Sequence, residues 1–408
     1  MKNRFDVIVV GSGMVGAACA CLLSGTSLRV ALIEARKPQP FIENGEYDLR
    51  VSAISRASER ILTAAGAWDA ISAARISPYT SMHVWDASGN GSVHFDSHEL
   101  GEPNLGNIIE NRLIIHSLLA VIDASPNIEF ICPAIPNELV FADEKVTVSL
   151  ESWETMESRI VIAADGSDSR LRGLAGIQAR SLDYDQQAVV AHVSPSESHQ
   201  DTAWQRFLET GPLALLPLVD GRVSIVWSTT PKRAQELLAM DDQAFCTALS
   251  EASEHRLGEI QATSARATFS LRRAHAEHYI APRFALVGDA AHTVHPLAGQ
   301  GVNLGLLDAA AIVETLLAAV RAGRDIGDTR QLRRYERWRR GHNQLMIHAL
   351  DGFKQLFGIR TPPFGLLRSL GLNLLDRTKP LKNQMARHAM GLSGDLPQAA
   401  RSGIKTLT

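Results

Sequence analysis

A mixed α/β (α+β) chain is predicted, with a Rossmann-like nucleotide-binding domain, a second domain on a mainly antiparallel β-sheet, and a C-terminal helical region. Three observations predict it. A glycine-rich turn joins an apolar, β-branched run to a small-residue helix near the N-terminus. Two further strand-and-turn signatures, "ADGSDSR" and "VGDAAH", follow downstream. Between those two the texture changes to short strands broken by Gly and Pro. At 408 residues the chain is too long for one ordinary core, so a cleft between domains is available.

Composition sets outer bounds. Hydrophobic residues at 45% and charged residues at 21% are ordinary for a folded protein and exclude a disordered one. A net charge of −3 argues against nucleic acid as a partner, although the last quarter of the chain is basic. The four cysteines, Cys19, Cys21, Cys132 and Cys246, form neither a CxxC nor a regular framework, so neither disulfides nor structural zinc are expected and a reducing, cytoplasmic setting is. Lys2 and Arg4 ahead of "VIVVGSGMVGAACACLL" mimic a secretory signal, but the glycine spacing and the strand that follows favour a nucleotide turn. No other stretch approaches the ~20 consecutive apolar residues of a bilayer span, so a soluble or at most peripheral protein is expected.

The first element is the strand "DVIVV" from Asp6 to Val10, followed by "GSGMVG" and a helix-like run. This is GxGxxG in strand-turn-helix context: Gly11 permits the tight turn, Gly13 lets the backbone approach a pyrophosphate, and Gly16 lets helix and strand pack closely. A second strand, "LRVALIE", ends in Glu34, placed to accept hydrogen bonds from an adenosine ribose. An acid there favours a free 2′-hydroxyl, as in FAD or NAD; a glycine-rich turn without ligand is the plain alternative. Next, a buried strand from Ile160 to Ala164 breaks at Asp165 and Gly166 into DGxxSxxR, with Ser169 and Arg172 completing the pattern. An ordinary loop fits the same residues, and Asp165 is also placed to hold Arg170 or Arg172. Finally "FALV" ends in Gly288 and Asp289, and after a loop a helix begins near Gly301.

The trio "GSGMVG", "DGSDSRLR" and "GDAAHTVHPLAGQGVNLG" resembles the FAD-dependent aromatic hydroxylases of the p-hydroxybenzoate hydroxylase fold. Within them, "DLRVSAISRASERILTAAGAWDAI", "HVWD" and "LRRYERWRR" resemble the ubiquinone-biosynthesis hydroxylases, and most nearly the bacterial 2-polyprenylphenol hydroxylases. The similarity runs over nearly the whole chain. The resemblance implies that Gly11, Gly13, Met14, Val15, Gly16 and Glu34 hold the ADP half of FAD. It implies Arg50, Arg112 and, less directly, Asn111 near the cofactor's middle, with Asp165 and Gly166 closing on the pyrophosphate side. Gly288 and Asp289 then present a carboxylate to a ribityl hydroxyl, and the backbone from Leu297 to Asn303, including Gly299, Gln300, Gly301 and Val302, meets the flavin ring.

The activity implied is hydroxylation of the aromatic ring of a polyprenylphenol: NAD(P)H reduces FAD, oxygen adds at flavin C4a, and the hydroperoxide passes its distal OH to the ring. The cofactor carries the redox chemistry, and the protein orients and excludes water. No side chain need be a nucleophile. His292 and His295 form HxxH, but no further ligands stand beside them, so no metal is expected. A proton-transfer role for His292 or His295 stays open beside a loop-holding one, and Pro296 is expected to stiffen that loop. A helix starting near Gly301 would direct its positive end at the flavin's N1/O2 edge. No second GxGxxG follows a strand, so NAD(P)H is expected to bind transiently.

The boundaries follow from these elements. Residues 1–80, 105–178 and 270–350 are assigned to the FAD-binding domain, 81–104 and 179–269 to the substrate domain, and 351–408 to the helical tail. In the substrate domain, Leu213 to Leu218 and Val223 to Trp227 offer an apolar wall for a lipophilic phenol, or simply sheet core. "RQLRRYERWRR" (330–340) reads as a solvated helix face with Glu336 supporting Arg340. In the tail, Leu366, Leu367, Leu370, Leu374 and Leu375 form a stripe beside Arg368, Arg377, Lys379 and Lys382. It is expected to pack on the fold, the alternative being reversible docking on anionic lipid at the inner face of the cell membrane or on a biosynthetic partner. Competing functions are hydroxylation of a soluble aromatic compound, flavin-dependent reduction of isoprenoid double bonds, and a non-enzymatic lipid carrier. The oligomeric state is not legible.

Overall fold

The computed structural model describes residues 3–43, 45–87, 89–294, 300–358 and 362–401, and among these three sheets carry the fold. The first has a parallel centre in which Phe284–Leu286, Thr155–Ala163, Arg4–Val10, Val30–Ile33 and Ile128–Ile131 lie side by side. The cores of the first four are unbroken buried apolar runs, as strands covered on both faces require, whereas Ile128–Ile131 at the edge exposes Glu129 and Phe130. The chain leaves Arg4–Val10 towards Val30–Ile33 on one side and later returns as Thr155–Ala163 on the other. That reversal opens a crevice at the carboxyl ends of the strands, where ligands of such sheets bind. The three sequence signatures follow the carboxyl ends of three adjacent strands: Gly11 after Val10, Asp165 beyond Ala163, and Gly288 beyond Leu286. The run that mimics a secretory signal forms the central strand and the buried helix Met14–Cys21.

The second sheet is mainly antiparallel and centres on the long strand Ala179–Pro195. Thr202–Leu208, Gly211–Pro217 and Val223–Thr229 follow as a meander, and Ser81–Asp86 joins Thr202–Leu208 in parallel. Helices Pro231–Ala239 and Asp242–Ala252 cover one face through Leu213, Leu215, Ile225 and Trp227. The apolar wall expected from sequence is therefore split by the two-residue period of a strand. Ala214, Leu216 and Val226 face a cavity, while their neighbours are sheet core. Strand Ala267–Ala276 pairs with Ala179–Pro195 and then with His292–Thr293, so the ribbon passes through residue 270 and ties the segment after Gly288 and Asp289 to the second sheet.

Helix Gln300–Arg321 has the length and mean hydropathy of a membrane span, contrary to the expectation that no such stretch exists. Most of it is buried inside the protein, and it carries Asp308. The following helix, Thr329–Gly358, corrects a second expectation. Leu332, Tyr335, Arg339 and Asn343 recur at helical spacing and are buried, so only part of the basic segment is a solvated face. Glu336 accepts from the Tyr279 backbone N–H at 2.8 Å, where support of Arg340 was expected.

The tail forms helices Pro362–Arg377 and Lys379–Ala389 and packs on the second sheet. Leu372 joins Val84, Val93 and Phe207, and Lys382 donates to the His94 carbonyl at 2.8 Å with Glu99 and Asp376 at 3.3 and 3.6 Å. Lys379 pairs with Glu99. The side chains of Leu366, Leu367, Arg368 and Leu370 lie outside the described residues. Beyond the tail helices, Ala57 donates its N–H to the Met390 carbonyl, and Gln398–Ala400 packs on the helix Arg56–Ala64. The tail thus spans from the second sheet back to the nucleotide half.

Candidate active site

A cavity of about 620 Å³ begins at the nucleotide turn and ends on the apolar face of the second sheet. At its start each glycine of GSGMVG has a distinct environment. Gly11 adopts φ +102°, and a Cβ there would lie 2.4 Å from the Ala164 carbonyl oxygen. A Cβ on Gly16 would lie 1.9 Å from the Gly11 carbonyl oxygen, so both glycines are required by the protein's own backbone. Gly13 differs: nothing lies within 4 Å of its Cβ position, and it lines the cavity with Met14 and Val15. Gly13 caps the helix Met14–Cys21 without a side-chain cap bond, which leaves the first N–H groups of the helix for an anion.

Glu34 follows the second strand and accepts from the Ser12 N–H at 2.7 Å and its hydroxyl at 3.0 Å. Its other oxygen accepts from the Arg36 N–H, so the carboxylate shapes the turn and keeps part of its acceptor capacity for a ribose. Neither Glu34 nor Arg112 lines the cavity. Arg112 lies 3.1 Å from Asp48, behind the segment that carries Arg50 to the cavity wall. Asn111 lines the cavity while accepting from the Ser52 hydroxyl at 2.7 Å.

Asp165 does not hold an arginine. It accepts from the Ser169 hydroxyl at 2.6 Å and the Leu171 N–H at 3.1 Å, closing its own turn and leaving Gly166 on the cavity wall. Arg170 pairs with Glu151, and Arg172 donates to the Ala290 carbonyl at 2.8 Å, tying the second signature to the third. Arg272, which sequence reading missed, also lines the cavity and donates to the Ser167 hydroxyl at 2.8 Å.

In the third signature Gly288 takes φ +59° against the Val15 side chain. Asp289 is exposed as a residue and lines the cavity, with its carboxyl set among protein groups. That enclosure raises its carboxyl above the usual carboxylate value, against the pull of His292, Arg50 and Arg272. Gly301, Val302 and Asn303 line the cavity at the start of the long helix. The Asn303 amide acts as a strand partner: it donates to the Ala53 carbonyl at 2.9 Å and accepts from the Ser55 N–H at 3.0 Å. His295, Pro296 and Gly299 lie outside the described residues, as does the side chain of Gln300.

His292 is fully buried and does not line the cavity. Its Nε2 forms a short contact with Asp308, which also accepts from Arg339 Nε at 2.7 Å, Asn343 Nδ2 at 3.1 Å and the Gly288 N–H at 3.2 Å. Burial opposes the Asp308 charge, but His292 and Arg339 outweigh it and hold the carboxyl well below the usual range. This cluster fixes the turn that carries Asp289. Sequence reading missed it, although an acid inside the apolar run "NLGLLDAAA" already demanded a buried cation.

The chain superposes along nearly its whole length on flavoproteins of one architecture. The p-nitrophenol 4-monooxygenase PnpA of Pseudomonas putida DLL-E4 matches with a TM-score of 0.77 and 18% identity, over 95% of this chain and 98% of that one. The probable FAD-dependent monooxygenase pqsL of Pseudomonas aeruginosa matches with a TM-score of 0.77 and 21% identity, over 91% and 99%. The fold is that of the flavin-dependent monooxygenases, and a family model described as an FAD binding domain matches residues 136–349. The 3-demethoxyubiquinol 3-hydroxylase of Escherichia coli (strain K12) is 36% identical over 95% of this chain and 98% of its own length. The mitochondrial ubiquinone biosynthesis monooxygenase COQ6 of Homo sapiens is 36% identical over 94% and 92%. The chain belongs to the FAD-dependent hydroxylases of ubiquinone biosynthesis.

Proposed function

We propose that this enzyme hydroxylates the aromatic ring of a polyprenylphenol intermediate of ubiquinone biosynthesis, with O2 and NAD(P)H as co-substrates. One observation carries the reading: a single cavity runs from a backbone anion site at Gly13 to an apolar sheet face at Ala214, Leu216 and Val226. FAD, when bound, supplies the two-electron redox chemistry and the activation of oxygen.

The chain's residues bind and orient. Backbone N–H groups at Gly13 to Val15 receive the pyrophosphate, and Arg50 adds positive charge on the cavity wall. The Asp289 carboxyl would hold a ribityl hydroxyl; burial raises its pKa, and His292, Arg50 and Arg272 pull against that rise. The N-terminus of the 22-residue helix Gln300–Arg321 reaches the cavity at Gly301 to Asn303 and would bring partial positive charge to a bound flavin. The apolar sheet face excludes water from the reacting ring and favours a lipophilic phenol over a charged aromatic acid.

The test supplies the purified flavoprotein with NADH or NADPH, a short-chain polyprenylphenol and 18O2, followed by mass spectrometry. Product carrying one 18O is expected. Reductant consumed with a saturated isoprenoid and no label would instead assign a reductase, and an unmodified phenol would overturn the substrate.

A further inference from the structure

Across strands Thr202–Leu208, Gly211–Pro217 and Val223–Thr229 and the facing part of Ala179–Pro195, the cavity-facing side chains of the second sheet are apolar apart from one, while Ser270, Arg272 and Thr293 line the cavity from its far strands. In strand Thr202–Leu208, Gln205 sits opposite Val84 on one side and Ala214 on the other, and the row continues through Val226 to Val190. Gln205, Ala214, Val226 and Val190 line the cavity. The side chains before and after Gln205 pack on the opposite face, although Trp204 also borders the cavity. The Trp204 ring packs at 5.3 Å from His83 and 6.3 Å from Trp85, and Arg206 donates to the Ala252 carbonyl at 2.6 Å and pairs with Glu254. Strand alternation therefore turns Gln205 to the cavity.

Gln205 is 6% exposed, and its amide, which opens onto the cavity, makes no hydrogen bond to the described residues. Buried amides are normally satisfied, because leaving one unpaired in apolar surroundings costs stability that a leucine would not. The row around it holds no charge, and Arg272, at the cavity wall on another strand, is engaged by Ser167 and Asp168. A neutral amide can donate to, or accept from, a single hydroxyl, whereas a carboxylate would need a cation here.

We propose that Gln205 is the specificity-determining contact for the ring hydroxyl of the substrate, selecting a neutral phenol and registering its ring against the apolar sheet. This rests on the phenol reading above and adds the residue that recognises the hydroxyl. A site built around one hydrogen bond discriminates strongly against a ligand that lacks the group, because the protein's own amide is then left unpaired.

The experiment compares holoenzyme with Gln205→Leu and Gln205→Asn. Each is titrated with a short-chain prenylphenol and with the matching prenylbenzene that lacks the hydroxyl, following the flavin absorbance. Melting temperature and FAD content confirm that each variant is folded and loaded. Gln205→Leu should weaken the phenol by roughly tenfold or more while binding the prenylbenzene as well as or better than the parent does, with Gln205→Asn intermediate. A uniform loss for both ligands, or no change for the phenol, would overturn the assignment. Failure of the parent enzyme to bind the phenol at all is a separate result and removes the phenol reading itself.

Discussion

The three glycines of the nucleotide turn separate folding from binding at the level of single residues. A methyl group on Gly16 collides with the Gly11 carbonyl, whereas one on Gly13 meets no protein atom. Gly16→Ala should therefore lower stability by about 1–3 kcal/mol through overpacking, and Gly13→Ala should fold normally but lose FAD affinity. Thermal melts and FAD fluorescence quenching read the two effects, and equal loss of stability in both variants would contradict this division. His292 taught less than the acid between it and the cation. His292 is part of a buried cluster whose centre, Asp308, stands in a segment that reads as plain apolar helix. A one-dimensional pattern marks such an acid as anomalous but does not say which of many arginines answers it.

That cluster is also what joins elements. Asp308 on the long apolar helix, Arg339 and Asn343 on the basic helix, and Gly288 and His292 on the flavin-side turn all meet at one carboxylate. Asp308→Asn leaves the buried Arg339 without its counter-charge, so a loss of about 3–5 kcal/mol is expected at neutral pH. The sign of its pH dependence follows from the depressed carboxyl. Between the folded value and the unfolded value of about 3.9, the unfolded chain binds more protons, so stability rises with pH there. The difference between parent and Asp308→Asn should hence be constant above about pH 5 and shrink as pH falls below about 4. Urea midpoints at several pH values test it; a gap that widens in acid would contradict the assignment. At the same scale, strand period decided which half of "GPLALLPLV" and "RVSIVWST" faces the cavity. The alternation was readable, but its phase depended on where the helices Pro231–Ala239 and Asp242–Ala252 dock.

Across the whole molecule the tail acts as a strap. Ala386, Ala389 and Met390 line the cavity, while Lys382 anchors their helix to the second sheet and Met390 bonds back to Ala57. Lys382→Met should cost of order 1–3 kcal/mol, less than a fully enclosed pair because Glu99 and Asp376 are partly exposed. Trypsin should then nick the tail faster, and more reductant should be lost to hydrogen peroxide as water enters the cavity. Unchanged proteolysis and unchanged peroxide yield would show that the strap is held elsewhere.

The sequence by itself determined the parallel nucleotide half, the antiparallel second sheet and the order of the three signatures, because glycine spacing and strand period are local properties of a chain. It also brought Gly13, Met14, Val15, Arg50, Asn111, Gly166, Asp289 and Gly301 to Asn303 into one candidate list, and these residues do line one cavity. Only the tertiary structure decided that Arg339 answers Asp308, that Asn303 clamps Ala53 and Ser55, and that Gln205 turns to the cavity in a row with Ala214, Val226 and Val190. The first two are partnerships between residues far apart in the chain, and all three exist only once packing has removed water from the groups concerned.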